Sequence, residues 1–234
     1  MSEPPLLLRA STFPDRLPLD RTCDVDLQFT LCNQGRKAIE IYPKAAKLAA
    51  LASFAGVGIS WSLALIPENS DVPLPLLELR RWYGPPGNPP SPAYAKQLGV
   101  SLGPGAQHVE RQLACWIPNA RLAPEHLAPA VLDPQGMDNI AARSWTPPPG
   151  HPVPPPLQDH FPLAQASVLV LGSNAASVEA AMRQQTDFLR GHVVAFIPAA
   201  GAYDLHVGYA QNSWMGLGKT FQVRASPVRL RVGE

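Results

Sequence analysis

Proline limits the regular structure that this chain can form more than any other feature of its sequence. It occupies 28 of the 234 positions, about 12%, against a usual share of about 5%. Proline lacks a backbone N–H and fixes φ, so it interrupts helices and central strands but suits loops, turns and edge strands. The sequence therefore predicts short strands joined by loops, with few long helices.

Residues 23–31 carry the clearest strand pattern in the chain. Every second residue from Cys23 to Leu31 is apolar. The intervening positions are polar: Asp24, Asp26, Gln28 and Thr30. A period of two indicates a strand with one buried face and one solvated face, which makes the two aspartates part of a solvated face. An Asn-Gln-Gly turn at 33–35 and an apolar segment at 38–42 follow, which predicts a strand–turn–strand unit.

Other segments show a similar β pattern, whereas the middle of the chain does not. Further strands are predicted at 5–12, 57–65, 76–83, 109–117, 201–209 and 221–232. Eight prolines fall within 145–162, and residues 174–190 have the caps and apolar spacing of a helix. We therefore predict a β-sandwich domain of residues 1–117 plus 196–234. Residues 118–195 would form a Pro-rich, partly helical insertion.

Five features resemble those of bacterial immunoglobulin-like sandwich domains. They are the strands around the turn at 33–35, the Pro-Gly at 104–105 before a mid-chain strand, the strand Gly-Ala-Tyr-Asp-Leu-His-Val-Gly-Tyr at 201–209, the Trp-Met-Gly loop at 214–216, and the closing Ser-Pro-Val-Arg-Leu-Arg-Val at 226–232. In those domains a Gly-x-Tyr-x-Leu strand lies beside a closing Ser-x-Pro-Val strand. The resemblance covers residues 21–42, 101–117 and 199–232. It implies a mainly β, immunoglobulin-like antiparallel sandwich that binds proteins or acts as a spacer, and it implies no catalytic residues.

The N-terminus and the cysteines bear on the compartment. The opening residues have neither the basic start nor the long apolar core of a secretory signal. Three cysteines, an odd number, suit a reducing environment. Cys23 and Cys32 would face opposite sides of one continuous strand and so could not form a disulfide. We expect a cytoplasmic protein.

One uncharged run satisfies a crude criterion for a membrane span. Leu48 to Ile66 is nineteen residues long, with lysines before it and acidic residues after it. Its second half alternates large and small residues from Val57 to Leu65, which is the pattern of a half-buried strand. Its first half is rich in alanine and suits a short helix or loop. A β-strand is the favoured interpretation, and a membrane-anchored subunit is left as an alternative.

Two short motifs suggest catalysis or phosphate binding but lack the required context. Gly99 to Gly103 matches the G-x-S-x-G nucleophile elbow around Ser101, yet Pro104 follows where a helix should begin. Gly216 to Thr220 ends like a phosphate-binding loop. Its first required glycine is replaced by Ser213, and a strand is predicted after it. Both motifs are expected to be turns.

Histidines offer the remaining candidates for chemistry. The six are His108, His126, His151, His160, His192 and His206. None has the sequence spacing of a zinc site, although ligands from distant strands could still meet. We therefore predict no metal and no cofactor. A hydrolase-like or metal-dependent enzyme with a loop-built site, using Ser101 or these histidines, is kept as an alternative function.

Charge and aromatic residues point to protein partners. The net charge is +1 and the basic residues are scattered, which argues against nucleic-acid binding. Candidate partner-binding residues are Arg81, Trp82 and Tyr83, and Trp145 beside its polyproline run. We expect a non-enzymatic interaction or assembly component, whose partner is another protein or a second copy, with the Pro-rich insertion as its partner surface.

Overall fold

The structure, a computed structural model, describes residues 5–43, 47–48, 59–79, 97–123, 126, 137–139, 165–184, 188–189, 192–211 and 219–233. Its strands are β1 (Leu6–Phe13), β2 (Arg16–Leu17), β3 (Cys23–Asn33), β4 (Ile39–Ile41), β5 (Lys47–Leu48), β6 (Ile59–Pro67), β7 (Leu76–Leu79), β8 (Val100–Leu102), β9 (Gln107–Ile117), β10 (Met137–Asn139), β11 (Ser167–Leu171), β12 (Val193–Ile197), β13 (Gly201–Gln211), β14 (Phe221–Arg224) and β15 (Val228–Val232). A helix, α1 (Ala175–Arg183), and a 3-10 turn at Asn119–Arg121 lie between strands. The predicted mainly β class is confirmed.

Seven strands form one antiparallel sheet. Their order is β1-β3-β9-β11-β12-β7-β10. The longest ladders join β3 to β1 and to β9, at the end of the sheet that includes the chain's first strand. β11 lies wholly inside the predicted insertion, yet it pairs with β9 on one side and β12 on the other. Main-chain hydrogen bonds therefore attach part of residues 118–195 to the sheet. The predicted domain boundaries themselves stay a prediction.

Six strands form the second sheet. Its order is β2-β15-β13-β6-β5, and β14 pairs with the remaining length of β13. The N-terminal segment contributes to both sheets, because β1 belongs to the first sheet and β2 pairs in parallel with β15 of the second. Arg231 N donates to the carbonyl of Asp15 at 2.8 Å, and Gly233 N donates to that of Leu17 at 2.9 Å. These bonds tie the first turn of the chain to its last strand.

A hydrophobic core lies between the two sheets, as in a β-sandwich. The aromatic rings of Phe29 on β3, Trp61 on β6 and Tyr209 on β13 stack at its centre. The Phe29 and Trp61 ring centroids are 5.1 Å apart, and those of Trp61 and Tyr209 are 4.9 Å apart. Such tilted aromatic pairs add about 0.5–1.5 kcal/mol beyond the burial of their surface. The cluster holds the two sheets together.

Buried polar groups close one end of the core. The Tyr209 hydroxyl accepts a hydrogen bond from Tyr42 N at 3.1 Å and donates to Gln211 Oε1 at 2.7 Å. Gln211 Nε2 in turn donates to the carbonyls of Glu40 and Lys219, both at 3.1 Å. Each of these bonds satisfies a group that would otherwise cost about 1–3 kcal/mol to bury. The network fixes β4 and the segment before β14 against β13.

The predicted strand–turn–strand unit is present as β3, a turn and β4, but its two strands do not pair with each other, since β4 pairs with β8 and β3 lies between β1 and β9. Buried Asn33 explains the separation, because its side-chain amide donates to the carbonyls of Lys37 and Leu102 and so joins the turn to β8. The final strand is also divided into β14 and β15. Pro227 stands in the interruption, where its missing N–H cannot enter a ladder.

The remaining predicted elements agree in kind and differ in extent. The strands predicted at 5–12, 23–31, 109–117 and 201–209 correspond to β1, β3, β9 and β13. The helix predicted at 174–190 begins as expected, with Asn174 Oδ1 accepting from Ser177 N at 2.8 Å, but it ends at Arg183. Strands β2, β5, β8, β10, β11 and β12 were not predicted, and β5 lies where a short helix or loop was expected. Residues 59–66 of the uncharged run form strand β6, and no described helix is long and apolar enough to cross a membrane.

A second apolar cluster lies on the outer face of the seven-stranded sheet. Val178 of α1, with Phe188 and Leu189, packs against β11, β12 and the end of β9. We call this outer surface of β11, β12 and residues 114–117 the covered face. Gly172 permits it, because its φ of +79° turns the chain from β11 towards α1. The outer surface of β1, β3 and residues 107–113 does not belong to this cluster, and we call it the open face.

Candidate functional site

The partner-binding candidates predicted from the sequence, Arg81, Trp82, Tyr83 and Trp145, lie outside the described residues. The same is true of His151 and His160. The proposal that these aromatic and basic residues contact a partner stays a prediction.

The two catalytic motifs occupy the contexts expected of turns and strands. Ser101 lies on β8 opposite Glu40, with its side chain exposed. A turn at Pro104 and then strand β9 follow it, in place of the helix that a nucleophile elbow requires. Gly216 to Gly218 of the other motif lie outside the described residues, and Thr220 directly precedes strand β14 where a phosphate-binding loop requires a helix. Neither motif is followed by the helix that its chemistry needs.

The described histidines are not gathered into one site. His108 Nε2 lies 3.1 Å from the Glu110 carboxylate on β9. His126 Nδ1 accepts from Ala123 N at 3.0 Å and so caps a local turn. Burial lowers the pKa of His206. The Asp204 carboxylate opposes this effect, and the charge of Arg224 adds to it. Within the described ranges, no three His, Cys, Asp or Glu side chains are placed to hold a metal ion.

The contacts of Asp24 and Cys115 indicate structural roles for both side chains. Asp24 is exposed, in agreement with the predicted solvated strand face, and its Oδ1 accepts from Ala175 N at 2.6 Å at the start of α1. Cys115 lies opposite Asp24 in the sheet and is fully buried. Burial, reinforced by the negative charge of Asp24, raises the pKa of the Cys115 thiol to about 12. The thiol is therefore protonated at neutral pH and is not a reactive nucleophile.

The open face carries exposed apolar side chains in register across three strands. Phe13 on β1 lies opposite Asp26 on β3, which lies opposite Leu113 on β9. Directly opposite residues of an antiparallel pair point to the same face, so all three project outward. Phe13 is 79% exposed and Leu113 is 41% exposed. Val109, on the same face of β9, is 44% exposed.

In the first part of β9 the polar side chains face the core and the apolar side chains face solvent, which is the reverse of a conventional core strand. In residues 107–113 the polar side chains of His108, Glu110 and Gln112 point inward and are partly buried. The apolar side chains of Val109 and Leu113 point outward. Because an isolated exposed apolar residue is ordinary, the informative feature is that these side chains share one sheet face with Phe13.

This arrangement suits contact with another surface more than it suits chemistry. The open face combines an aromatic ring and two aliphatic side chains with polar and charged neighbours, Arg9, Asp26, Thr30 and Arg111. Apolar anchors among polar residues are typical of protein interfaces. The strand pattern at 109–117 predicts β9, but it does not indicate any of these residues as a binding residue. The signal that could have identified them is that, in residues 107–113, the apolar side chains face solvent and the polar ones face the core. This can be recognised only when the buried side of the strand is known.

Comparisons with known proteins leave the chain without an assigned family. No family model matches it, no curated protein matches it, and no solved structure matches it.

Proposed function

We propose that this chain is a non-enzymatic protein-interaction module, built on an immunoglobulin-like sandwich, that contacts its partner through the open face. The single observation that carries the proposal is the exposure of Phe13, Val109 and Leu113 on one sheet face. Exposed aromatic and aliphatic side chains that share one sheet face with polar residues between them are typical of a protein interface.

The order of strands supports the immunoglobulin-like part of the proposal. Immunoglobulin sandwiches place strands A, B and E in one sheet and strands C, F and G in the other. Here β1, β3 and β9 are consecutive neighbours in the first sheet. β6, β13 and β15 are consecutive neighbours in the second. These two sets match that arrangement in chain order as well as in space.

Core contacts give further support. Immunoglobulin domains pack a buried tryptophan of strand C against a disulfide that joins strands B and F. In this chain Trp61 of β6 packs against Phe29 and Tyr209, which occupy the strands equivalent to B and F. Near the start of β13 the Tyr203 hydroxyl donates to the carbonyl of Ala199 at 2.7 Å. That bond has the form of the tyrosine corner found in such domains.

The partner surface proposed here differs in place from the one predicted from the sequence. The Pro-rich region with Trp145, and the Arg81, Trp82 and Tyr83 cluster, remain a second proposed contact region. The open face is preferred because its exposure and register are known residue by residue. Such a module needs no reactive group, which agrees with the protonated Cys115 thiol and with the strand context of Ser101.

A matched pair of variants tests the proposal. The double variant Phe13→Glu, Leu113→Glu places two charges on the open face, while Gln222→Glu places one on the exposed outer side of β14. Immobilised wild type and both variants are incubated with an extract of the source cells, and the retained proteins are quantified by mass spectrometry. We expect wild type and Gln222→Glu to retain the same proteins and the double variant to lose them. Equal retention by all three would overturn the proposal.

A further inference from the structure

Strand β9 has a full-length neighbour on one side and only a partial one on the other. β3 pairs with residues 107–116. On the opposite side, β11 pairs only with residues 114–117, because the chain turns away at Gly172. Among the described residues, no strand pairs with residues 107–113 on that side. This stretch of β9 is therefore a strand edge inside a larger sheet.

Two hydrogen bonds establish which main-chain groups face this edge. Asn33 N donates to the carbonyl of Ala106 at 3.0 Å, which directs the even-numbered residues of β9 towards β3. Gly172 N donates to the carbonyl of Leu113 at 2.8 Å, which directs the odd-numbered residues towards β11. Main-chain groups alternate between the two sides of a strand. The N–H and C=O groups of Val109 and Arg111 thus point to the open edge.

The side chains along this edge include one positive charge, that of Arg111, which has no ion-pair partner among the described residues. Arg111 lies between Val109 and Leu113 on the open face and is exposed. It forms no ion pair with the described residues, whereas Glu110 on the inner side is paired with His108. The edge therefore presents an apolar residue, an exposed guanidinium and a second apolar residue at alternate positions.

We propose that residues 107–113 of β9 bind an extended peptide segment of a partner protein by strand addition. The segment carries apolar side chains opposite Val109 and Leu113 and an acidic side chain opposite Arg111. Strand addition gives affinity through main-chain hydrogen bonds and specificity through alternate side chains. This inference rests on the proposed function and specifies its partner class.

Charge complementarity favours such a segment over a second copy of this chain. The corresponding edge of a second copy presents Gln107, Val109, Arg111 and Leu113 on the open face. None of these residues provides a carboxylate for Arg111. Arginine pairs preferentially with carboxylates because its planar guanidinium matches them in a bidentate geometry. A partner segment with a central Asp or Glu supplies what the edge lacks.

The test uses a fluorescent peptide with blocked termini, Thr-Val-Thr-Glu-Thr-Val-Thr, whose sequence is symmetric so that either strand direction places Glu opposite Arg111. Binding to the full chain is followed by fluorescence anisotropy. Val109→Pro removes an edge N–H that takes no part in the β3 ladder. We expect it to weaken binding by about tenfold or more. Arg111→Glu should weaken binding by a similar factor, and exchanging the peptide Glu for Lys should restore binding to that variant.

Arg231→Glu, exposed on β15 of the other sheet, makes the same charge change away from the open face; it is the matched control and should leave the affinity unchanged. Equal affinity for wild type, Val109→Pro and Arg111→Glu would overturn the inference, and so would absence of binding up to about 1 mM peptide. Analytical sedimentation of the same variants tests whether a second copy of the chain binds the edge instead. Self-association that Val109→Pro abolishes would assign the edge to a second copy and also overturn the inference. If Val109→Pro fails to fold, the charge exchange at Arg111 decides alone.

Failure here remains distinguishable from failure of the proposed function. The retention experiment is repeated with Phe13→Glu alone, because Phe13 lies two strands away from the β9 edge whereas Leu113 lies on it. If partner retention requires Phe13 but the peptides do not bind, the open face is a binding surface and the strand-addition mode is wrong.

Discussion

The two halves of the seven-stranded sheet differ in what covers their outer face. In the covered half, Val168 and Val170 of β11 face the cluster containing α1, while Leu169 and Leu171 face the core between the sheets. All five residues of β11 are buried, and the strand is apolar after Ser167. In the open half, β3 alternates buried and less buried residues along its length. The pattern of apolar and polar residues along a strand therefore depends on which elements pack on the outer face of its sheet.

Strand β9 contains both patterns, and the change occurs at Ala114. Residues 107–113 alternate between exposed and partly buried positions, whereas Ala114 to Ile117 are all buried. The change coincides with the end of β11 at Gly172 and with the start of α1. One strand thus adapts its sequence to two environments. This makes the boundary at Ala114 the place where the comparison is tested most directly.

The largest expected difference is between two phenylalanines, one on each outer face. Phe196 on β12 is fully buried in the cluster with α1, whereas Phe13 on β1 is largely exposed. Phe196→Ala should lower the free energy of unfolding by about 3–5 kcal/mol, because it removes buried contacts and leaves a cavity. Phe13→Ala should change it by less than about 0.5 kcal/mol. Urea denaturation of both variants measures the difference.

A loss at Phe13 comparable to that at Phe196 would contradict the comparison. It would mean that Phe13 is covered in solution and that the open face is part of the fold. In that case the exposed apolar residues would have a structural role, and the proposed binding surface would lose its main support.

The sequence was informative where one face of a strand is solvated and much less so where both are buried. Alternation identified β3 and β13 because each has a polar side. The short apolar runs of β11 and β12 have no alternation, and a short buried strand cannot be separated from a buried helix segment by periodicity. The pairing of β4 with β8 depends on the buried amide of Asn33, which contacts residues distant in the sequence. No local pattern encodes that contact.

The candidate site was harder to predict for a related physical reason. Val109 and Leu113 fit a strand pattern, but the pattern alone does not say which side faces the core. The apolar side is usually buried, and in residues 107–113 it is the exposed side. Phe13 ends its strand next to Pro14, so it could equally have been expected to close the core. Exposure of all three residues follows from tertiary packing.

An intermediate effect is expected from pH, through the thiol of Cys115 in the covered half. Burial and nearby Asp24 raise its pKa from 9.0 to about 12. Between these values the unfolded chain loses the proton while the folded chain retains it, so stability falls as pH rises. This thiol alone should lower the free energy of unfolding by about 2 kcal/mol at pH 10.5 relative to pH 7.

Denaturation under reducing conditions at several pH values measures this effect. Cys115→Ala should lose less stability than wild type between pH 9 and 10.5. Cys32→Ala, on the open side of β3, should keep the wild-type dependence. Buried Tyr42 and Tyr209, whose pKa values burial also raises, contribute equally to all three proteins and cancel in the comparison. The same slope in Cys115→Ala as in wild type would show that the thiol is not buried in solution.

The smallest expected effect lies at the boundary between the two halves, where Asp24 accepts a hydrogen bond from Ala175 N. A carboxylate at a helix N-terminus satisfies a free N–H and interacts favourably with the helix dipole. Asp24→Ala should therefore lower the free energy of unfolding by about 1 kcal/mol and speed amide hydrogen exchange in α1. Asp26→Ala, two residues along the same strand face and without this bond, is the control and should do neither. If both variants behave alike, apolar packing alone holds α1 on the covered half. The boundary between the two faces is then set by Gly172 and the end of β11, and the hydrogen bond from Ala175 N to Asp24 does not contribute to it.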